Sequence, residues 1–298
     1  MRIGTGQLSD IALRGMQQQD SRYADLMVQL SSGKKVNKVS DDPLGSLRLI
    51  GLEKEEASFK QWKTNADNVI GSLQKSEGYL DSSYNTLLRV QDLVLQANSD
   101  SSTQKDRESV VTELKTLKKT LVDFANATDG DGNYVFSGSQ TDTPPVSDTG
   151  AGYVYQGDNL IRTVPVSAGQ DAPSNVTVDG VYFQGGTNTF DQIDAYIDDI
   201  ESGSATIGTT GPALLDKISD TIDGIGAKLT DIGGQIVSAE ESKRSQDELS
   251  LANEQIRNKI ENLDYAEAMT EMNTVKNTLS ATQKAYSSIS QLSLFNQI

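Results

Sequence analysis

Length, composition and charge exclude several classes of protein before any motif is considered. The chain has 298 residues, a formal net charge of −16, 36% hydrophobic residues, one Trp, and no Cys or His. The acidic balance argues against binding to nucleic acids or anionic membranes, and the lack of Cys and His excludes disulfides, Ser-His-Asp triads and His-bearing zinc sites.

The charge is unevenly distributed along the chain. Residues 1–38 carry six Lys and Arg against three Asp, and residues 265–298 carry two Lys and two Glu, so the acidic excess lies in the middle. This pattern predicts that the two ends pack together in an interior and that the middle faces water. No run of eighteen apolar residues is present, and the first residues contain no apolar stretch of signal-peptide length.

The first predicted helix covers residues 8–30 and is weakly amphipathic, with Gly15 interrupting it. Its apolar stripe consists of Ala12, Met16, Tyr23, Leu26 and Leu30. A loop with three Lys follows at 31–40. Ser40, Asp41 and Asp42 are expected to cap the next helix, because their oxygens can accept bonds from its first N–H groups and Pro43 suits its first position.

The second predicted helix extends from Pro43 to about Asn98, which at about 1.5 Å per residue gives a length of roughly 80 Å. Its seam keeps alternating four- and three-residue steps: Trp62, Ala66, Val69, Leu73, Ser76, Leu80, Ser83, Leu87, Val90, Val94 and Ala97. Thr103 and Asp106 form a capping box that opens a third helix, and the short link at 99–102 predicts that the two helices are antiparallel neighbours.

The character of the sequence changes at Asp129. From there to Phe190 it is rich in Gly, Pro, Thr and Asp, which predicts a small inserted β region with strands at 134–136, 153–155, 160–164 and 176–183. A short helix is expected at 190–200 and a linker at 202–211. Pro212 is then expected to open a long helix whose stripe drifts at Lys243 and Gln246, as in a coiled-coil stutter.

The C-terminal stretch 268–296 repeats apolar residues at heptad spacing, the pattern of a helix that faces a partner helix. We expect it to pair with residues 8–30 in the same chain and to pack against neighbouring subunits, with both segments becoming ordered on assembly. The candidate interface residues are Ala12, Met16, Tyr23, Leu26, Leu30, Met272, Val275, Leu279, Tyr286, Ile289, Leu292 and Phe295.

The predicted fold is therefore mainly α with a β insertion: an elongated rod with a terminal coiled coil, a bundle of long helices and a small outer β domain. We expect an inner assembly domain at 1–42 and 264–298, a helical-bundle domain at 43–135 and 201–263, and a β-rich outer domain at 136–200.

Several motifs permit a second interpretation. Asp129, Asp131 and Asn133 match the first ligand positions of a calcium loop, but its Gly and final Glu are missing, which favours a turn. Asp41 and Asp42 could form a carboxylate pair for acid–base chemistry, although capping is the simpler role. Trp62 fits a core aromatic better than a ligand platform. Three lysines, Lys34, Lys35 and Lys38, could either contact an acidic neighbour or remain solvated.

Three segments carry a family likeness. Residues 30–43 resemble the junction after the first helix of flagellins and their hook-associated relatives, and residues 128–138 are similar to that family's entry into its outer β domain. The segments Asp264-Tyr-Ala-Glu-Ala-Met-Thr-Glu-Met and Ser293-Leu-Phe-Asn resemble its closing helix. The opening Met-Arg-Ile-x-Thr and the Ser-Asp-Asp-Pro at 40–43 resemble the hook–filament junction members of the family more than flagellins.

The resemblance implies a non-enzymatic structural protein without cofactor or metal, which joins the bacterial flagellar hook to the filament. Its implied partners are other copies of itself in a ring, a hook-associated protein on the hook side, flagellin on the filament side, and an export chaperone on the C-terminal helix. It implies an extracellular flagellar location reached by type III export without a cleaved signal peptide. The alternative is a flagellin, and a secreted effector is a less favoured one.

Overall fold

The computed structural model describes residues 2–203 and 207–295, with the side chains of 2–6, 8 and 289–295 excluded. The helices are α1 (Arg2–Ser32), α2 (Pro43–Ala97), α3 (Gln104–Ala125), α4 (Asp179–Tyr182), α5 (Thr189–Glu201), α6 (Ile207–Glu261) and α7 (Tyr265–Phe295). The strands are β1 (Val146–Asp148), β2 (Tyr153–Tyr155), β3 (Thr163–Ser167) and β4 (Gln170–Pro173). The expectation of a mainly helical chain with a small β region is confirmed.

The chain forms two compact units. The terminal unit contains residues 1–58 and 248–298, and the central unit contains residues 59–247. In the terminal unit, α1 packs against α7. The three-domain division expected from the sequence remains a proposal.

The buried seam of α2 forms the core of the central unit. From Ala66 to Ala97, every seam position expected from the sequence is buried. Ser76 and Ser83 also lie on this face, and Ser76 is tolerated there because its hydroxyl donates to the carbonyl of Ser72 at 3.1 Å. The four-three spacing therefore predicted this face correctly.

Helix α3 begins as the sequence predicts. The Thr103 side chain accepts from the Asp106 N–H, and the Asp106 carboxylate accepts from the Thr103 N–H, so the capping box is complete. Its buried face consists of Val110, Val111, Leu114, Leu121 and Ala125. This face joins the common core, and α3 also packs against α5.

Helix α6 differs from expectation at two places. Pro212 lies inside the helix and does not open it. The preceding Gly211 is buried, and a Cβ there would lie 2.3 Å from the side chain of Asn98, the residue that follows α2, so this turn packs closely against the end of that helix. Ser242 and Gln246 are buried after Ala239, so polar residues continue the buried stripe through the region where the apolar pattern drifts.

The β region contains two separate antiparallel hairpins, β1–β2 and β3–β4. The strand predicted at 176–183 is wrong, because its second half forms α4 and its first half makes only an isolated bridge from Thr177 to Ser137. Its apolar residues nonetheless face inward. Phe190 lies 5.1 Å from Tyr182 and 5.2 Å from Tyr153 between ring centroids, which places this region in the core shared with α2 and α6.

Candidate assembly interface

The α1–α7 pair contains the interface residues predicted from the sequence. Leu26 and Val275 are buried, at 1% and 7% exposure. Partly exposed side chains occupy the other described positions, namely Ala12, Met16, Tyr23, Leu30, Met272, Leu279 and Tyr286. The predicted residues Ile289, Leu292 and Phe295 belong to the last turns of α7, whose side chains lie outside the described residues. Within the described part, the seam is thus only partly covered by its own chain.

Among the described side chains, one ion pair connects α1 and α7. Arg22 donates from Nε and Nη2 to Glu271 Oε1 at 2.8 and 2.6 Å. The two side chains are 46% and 40% exposed, and exposed ion pairs typically contribute less than about 1 kcal/mol. The pair therefore sets the alignment of α1 and α7 more than it stabilises them.

A backbone clasp closes the end of this helix pair. The Lys35 N–H donates to the Glu261 carbonyl at 2.7 Å, and the Leu263 N–H donates to the Gly33 carbonyl at 3.0 Å. These bonds flank an antiparallel bridge between Lys34 and Asn262. We refer to residues 33–35 with 261–263 as the clasp, because it joins the turn after α1 to the turn before α7.

Two of the three lysines in the 31–40 loop have acidic partners within the chain. Lys34 pairs with Glu261, and Lys38 lies 3.7 Å from Asp25. Their charge is therefore largely used inside the terminal unit. The Lys35 side chain is exposed beside the clasp and has no ion pair among the described residues.

Asp42 caps α2 as predicted, whereas the Asp41 carboxylate bonds to the loop before the helix and not to the first N–H groups of α2. Asp42 Oδ1 accepts from the Gly45 N–H at 2.9 Å and caps α2. Asp41 accepts from the N–H groups of Lys38 and Asn37 at 2.9 and 3.0 Å, and these bonds lower the pKa of its carboxyl group. Both carboxylates are thus occupied as structural acceptors.

The first turns of α2 bury their small residues and expose their large ones. Gly45 and Ser46 are buried, and a Cβ on Gly45 would come within 3.3 Å of Ile260. On the outer side, Leu44 is 80% exposed and Leu47 is 66% exposed. A surface helix of a soluble globular protein normally turns its large apolar side chains toward the core. This surface was not predicted from the sequence, although Gly45 and Ser46 beside Leu44 and Leu47 were its signal.

The terminal unit as a whole buries few apolar side chains. Its buried apolar residues among those described are Leu26, Val36, Ala268 and Val275. Exposed large apolar residues are more numerous, and they comprise Ile11, Leu13, Met27, Val28, Val39, Leu44, Leu47, Ile50, Leu249, Leu251, Tyr265 and Met269. Exposed apolar side chains in this number favour an interaction surface in the terminal unit.

A cavity of about 330 Å³ beside the clasp is lined by several carboxylates, among them Asp25, Asp264 and Glu267. Asp264 is used as a helix cap, because it accepts from the Ala266 and Glu267 N–H groups at 2.9 and 3.1 Å. Across the described residues, no group of acidic side chains is arranged to hold a metal ion, and no helix there is long and apolar enough to cross a membrane.

The possible calcium loop is a turn. Asp129 Oδ1 accepts from the N–H groups of Asp131 and Asn133, both at 2.9 Å. Trp62 is partly buried on α2, with its ring centroid 5.9 Å from that of Phe59. Neither motif forms a binding site in the described structure.

Comparison with known proteins matches the chain to flagellar components. Residues 3–141 match the family model of the bacterial flagellin N-terminal helical region. Flagellar hook-associated protein 3 of Escherichia coli K12 is 23% identical and is matched over 99% of both chains. A solved structure of a flagellar hook-associated protein from Vibrio parahaemolyticus is 31% identical, with a TM-score of 0.72 over 74% of this chain and 100% of that chain.

A second solved structure shares the fold. The flagellar junction protein FlgL from Legionella pneumophila is 17% identical, with a TM-score of 0.61 over 71% of this chain and 100% of that one. The proteins of this group are structural and are not enzymes. The chain belongs to the flagellin family, as a protein of the hook-associated protein 3 type.

Proposed function

We propose that this chain is a structural adaptor that joins the flagellar hook to the filament by assembling through its terminal unit. One observation carries the proposal: the terminal unit exposes large apolar side chains from α1, α2 and α7 while burying few of them. A unit of this composition gains stability when other subunits cover those side chains, at about 1.5–3 kcal/mol for each fully buried one.

The distribution of charge supports the same assignment. The terminal unit carries twelve Lys and Arg against fourteen Asp and Glu, out of 26 and 42 in the chain. The remaining fourteen basic and twenty-eight acidic residues lie in the central unit. Close packing of near-neutral units costs little repulsion, whereas the acidic central unit is suited to contact with water.

The partners follow from the likeness to hook-associated proteins. We infer a ring of identical subunits, with a hook-associated protein on the hook side and flagellin on the filament side. Helix α7 is the candidate site for an export chaperone, since the exposed Met269 and half-buried Met272 and Leu279 need cover before assembly. The location is the extracellular flagellum, reached as an unfolded chain through the flagellar export apparatus.

The test is immunogold microscopy of intact flagella with antibody against residues 136–200. A narrow band between hook and filament is expected. Label along the whole filament would make the chain a flagellin instead. That alternative is weaker because a relative matched over 99% of both chains is a hook-associated protein. Absence of label from flagella would reject the proposal.

A pair of variants links the location to the terminal unit. Leu279→Asp places a charge on the partly covered face of α7 and is expected to abolish the band. Val237→Asp, at a position 64% exposed on α6 in the central unit, is the matched control and should retain it. Equal labelling of both variants would show that α7 is not required for incorporation.

A further inference from the structure

The methionines of the chain are concentrated in the terminal unit. The sequence contains five of them, at positions 1, 16, 27, 269 and 272. All five belong to the terminal unit, and the central unit, residues 59–247, has none. Because the chain also lacks cysteine, these thioethers are its only sulfur atoms, and sulfur is what a mild oxidant attacks most readily.

Two of these methionines are open to solvent. Met27 is 50% exposed on α1, and Met269 is 46% exposed on α7. Met16 and Met272 are partly buried, and Met1 lies outside the described residues. Since oxidation requires that the oxidant reach the sulfur, Met27 and Met269 are the described methionines best placed to react.

Met27 and Met269 lie on the same side of the α1–α7 pair. They directly follow Leu26 and Ala268, which are buried where the two helices meet. The residues that directly precede Leu26 and Ala268 line the acidic cavity beside the clasp. One step along a helix rotates the side chain by about 100°. Because the helices are antiparallel, the two following residues project on a common side of the pair, opposite the cavity.

Oxidation changes the chemistry of that side. A lone pair of the sulfur attacks hydrogen peroxide, so that an S–O bond forms, the O–O bond breaks and water leaves. The sulfur loses two electrons, which the peroxide gains. A thioether is apolar and adapts to a packed contact, whereas the oxygen of the resulting sulfoxide needs a hydrogen-bond donor once it is removed from water.

We propose that Met27 and Met269 are peroxide-sensitive sites, and that their conversion to sulfoxides blocks incorporation of the chain into the flagellum. The inference rests on the proposed function, since it requires that neighbouring subunits cover these side chains. The central unit offers the oxidant no methionine, so the chemistry falls on the unit that assembles. The block is reversible, because reductases convert methionine sulfoxide back to methionine.

The test uses purified full-length protein and hooks isolated from cells that lack their own copy of the chain. After treatment with dilute hydrogen peroxide, peptide mass spectrometry should find sulfoxide first at Met27 and Met269. Immunogold counting should then show about tenfold less oxidised than untreated chain on the hooks, which corresponds to about 1.4 kcal/mol. Methionine sulfoxide reductases with dithiothreitol should restore incorporation.

Two double variants assign the effect to particular residues. Met27→Leu with Met269→Leu keeps apolar side chains that peroxide does not oxidise, and after treatment it should assemble as well as untreated wild type. Met16→Leu with Met272→Leu is the matched control. It retains both exposed methionines and should remain as sensitive to peroxide as wild type.

Equal incorporation of oxidised and untreated wild type would overturn this inference and leave the proposed function intact. Equal sensitivity of the two double variants, or absence of sulfoxide from Met27 and Met269, would also overturn it. If Met27→Leu with Met269→Leu fails to assemble before treatment, the reductase experiment on wild type decides, and lack of recovery overturns the inference. Failure of untreated wild type to bind hooks would reject the proposed function and the inference together.

Discussion

Gly33 illustrates how one residue sets the local geometry of the terminal unit. Its φ of +71° lies in the left-handed region, which residues with a Cβ rarely adopt. Its N–H donates to the Gln29 carbonyl at 2.8 Å and ends α1, while its own carbonyl accepts in the clasp. A Cβ there would come 2.9 Å from the Tyr265 hydroxyl. Conformation and close approach therefore both favour glycine.

Gly33→Ala is expected to destabilise the terminal unit by about 1–2 kcal/mol, the usual cost of the left-handed conformation for an alanine. Faster hydrogen exchange at the amides of Lys35 and Leu263 would report the loss. Gly51→Ala is the control, since its Cβ meets nothing within 4 Å inside a helix, and it should be neutral or stabilising. Unchanged exchange in Gly33→Ala would contradict this account.

Asp158 is a second residue whose bonds have a measurable consequence. Its carboxylate accepts from the Ser139 hydroxyl and N–H at 2.5 and 2.7 Å and from the Leu160 N–H at 3.2 Å. These donors lower the pKa of the carboxyl group. The pKa of Asp158 is therefore lower in the folded chain than in the unfolded chain. The ionised carboxylate stabilises the fold at pH values above about 4, the ordinary carboxyl pKa, and this contribution is lost as the pH falls through the lower folded pKa.

Urea unfolding at a series of pH values tests this account. Wild type should lose stability as the pH falls below about 4, and Asp158→Asn should show a smaller loss over the same interval. Asp131→Asn is the control, because its side chain makes no hydrogen bond within the described residues. Identical pH profiles for wild type and Asp158→Asn would show that the Asp158 bonds contribute nothing.

At the scale of elements, sequence spacing predicted the long helices well and the irregular parts poorly. The α2 seam was predictable because one face is buried over many turns, so each position repeats the same constraint. The predicted strand at 176–183 failed, because its run of β-branched residues is buried by contact with α2 and α6 and not by pairing within a sheet.

The candidate interface likewise has parts that could be predicted from the sequence and parts that could not. The positions on α1 and α7 follow from heptad spacing, which is a property of each helix alone. The clasp depends on backbone bonds between residues more than 220 positions apart, and the outward orientation of Leu44 and Leu47 depends on Gly45 meeting Ile260. Local pattern contains no information about either contact.

The α2 seam predicts a large difference between two leucines on one helix. Leu87 is fully buried and Leu95 is 54% exposed. Leu87→Ala should lower the free energy of unfolding by about 2–5 kcal/mol, because it leaves a cavity in the core, whereas Leu95→Ala should change it by less than about 0.5 kcal/mol. Chemical denaturation measures both, and similar losses would show that the burial pattern of α2 is wrong.

At the scale of the whole molecule, stability is unequally divided between the two units. Nearly all the described apolar side chains that are buried belong to the central unit. Ordering a residue costs about 1–2 kcal/mol in backbone entropy, so a segment that buries little apolar surface has little to offset that cost. The terminal helices are thus expected to open far more readily than the central unit.

Limited proteolysis of the monomer should therefore remove residues 1–42 and 264–298 and leave a fragment close to 43–263. Mass spectrometry of the digest identifies the fragment. The same chain within isolated flagella is the control and should resist cleavage, because its neighbours cover α1 and α7. Terminal helices in the monomer that resist cleavage as well as α2 does would contradict the inference.

The clasp also has a mechanical consequence. Because α1 and α7 run antiparallel away from it, a force that separates their far ends peels the helices apart from those ends, and the bonds at Lys35 and Leu263 are loaded last. Single-molecule pulling on those ends should thus show a gradual low-force extension followed by a distinct rupture. A rotating flagellum transmits torque through each of its joints. A clasp that is loaded last would keep α1 and α7 aligned while the turns at their far ends separate.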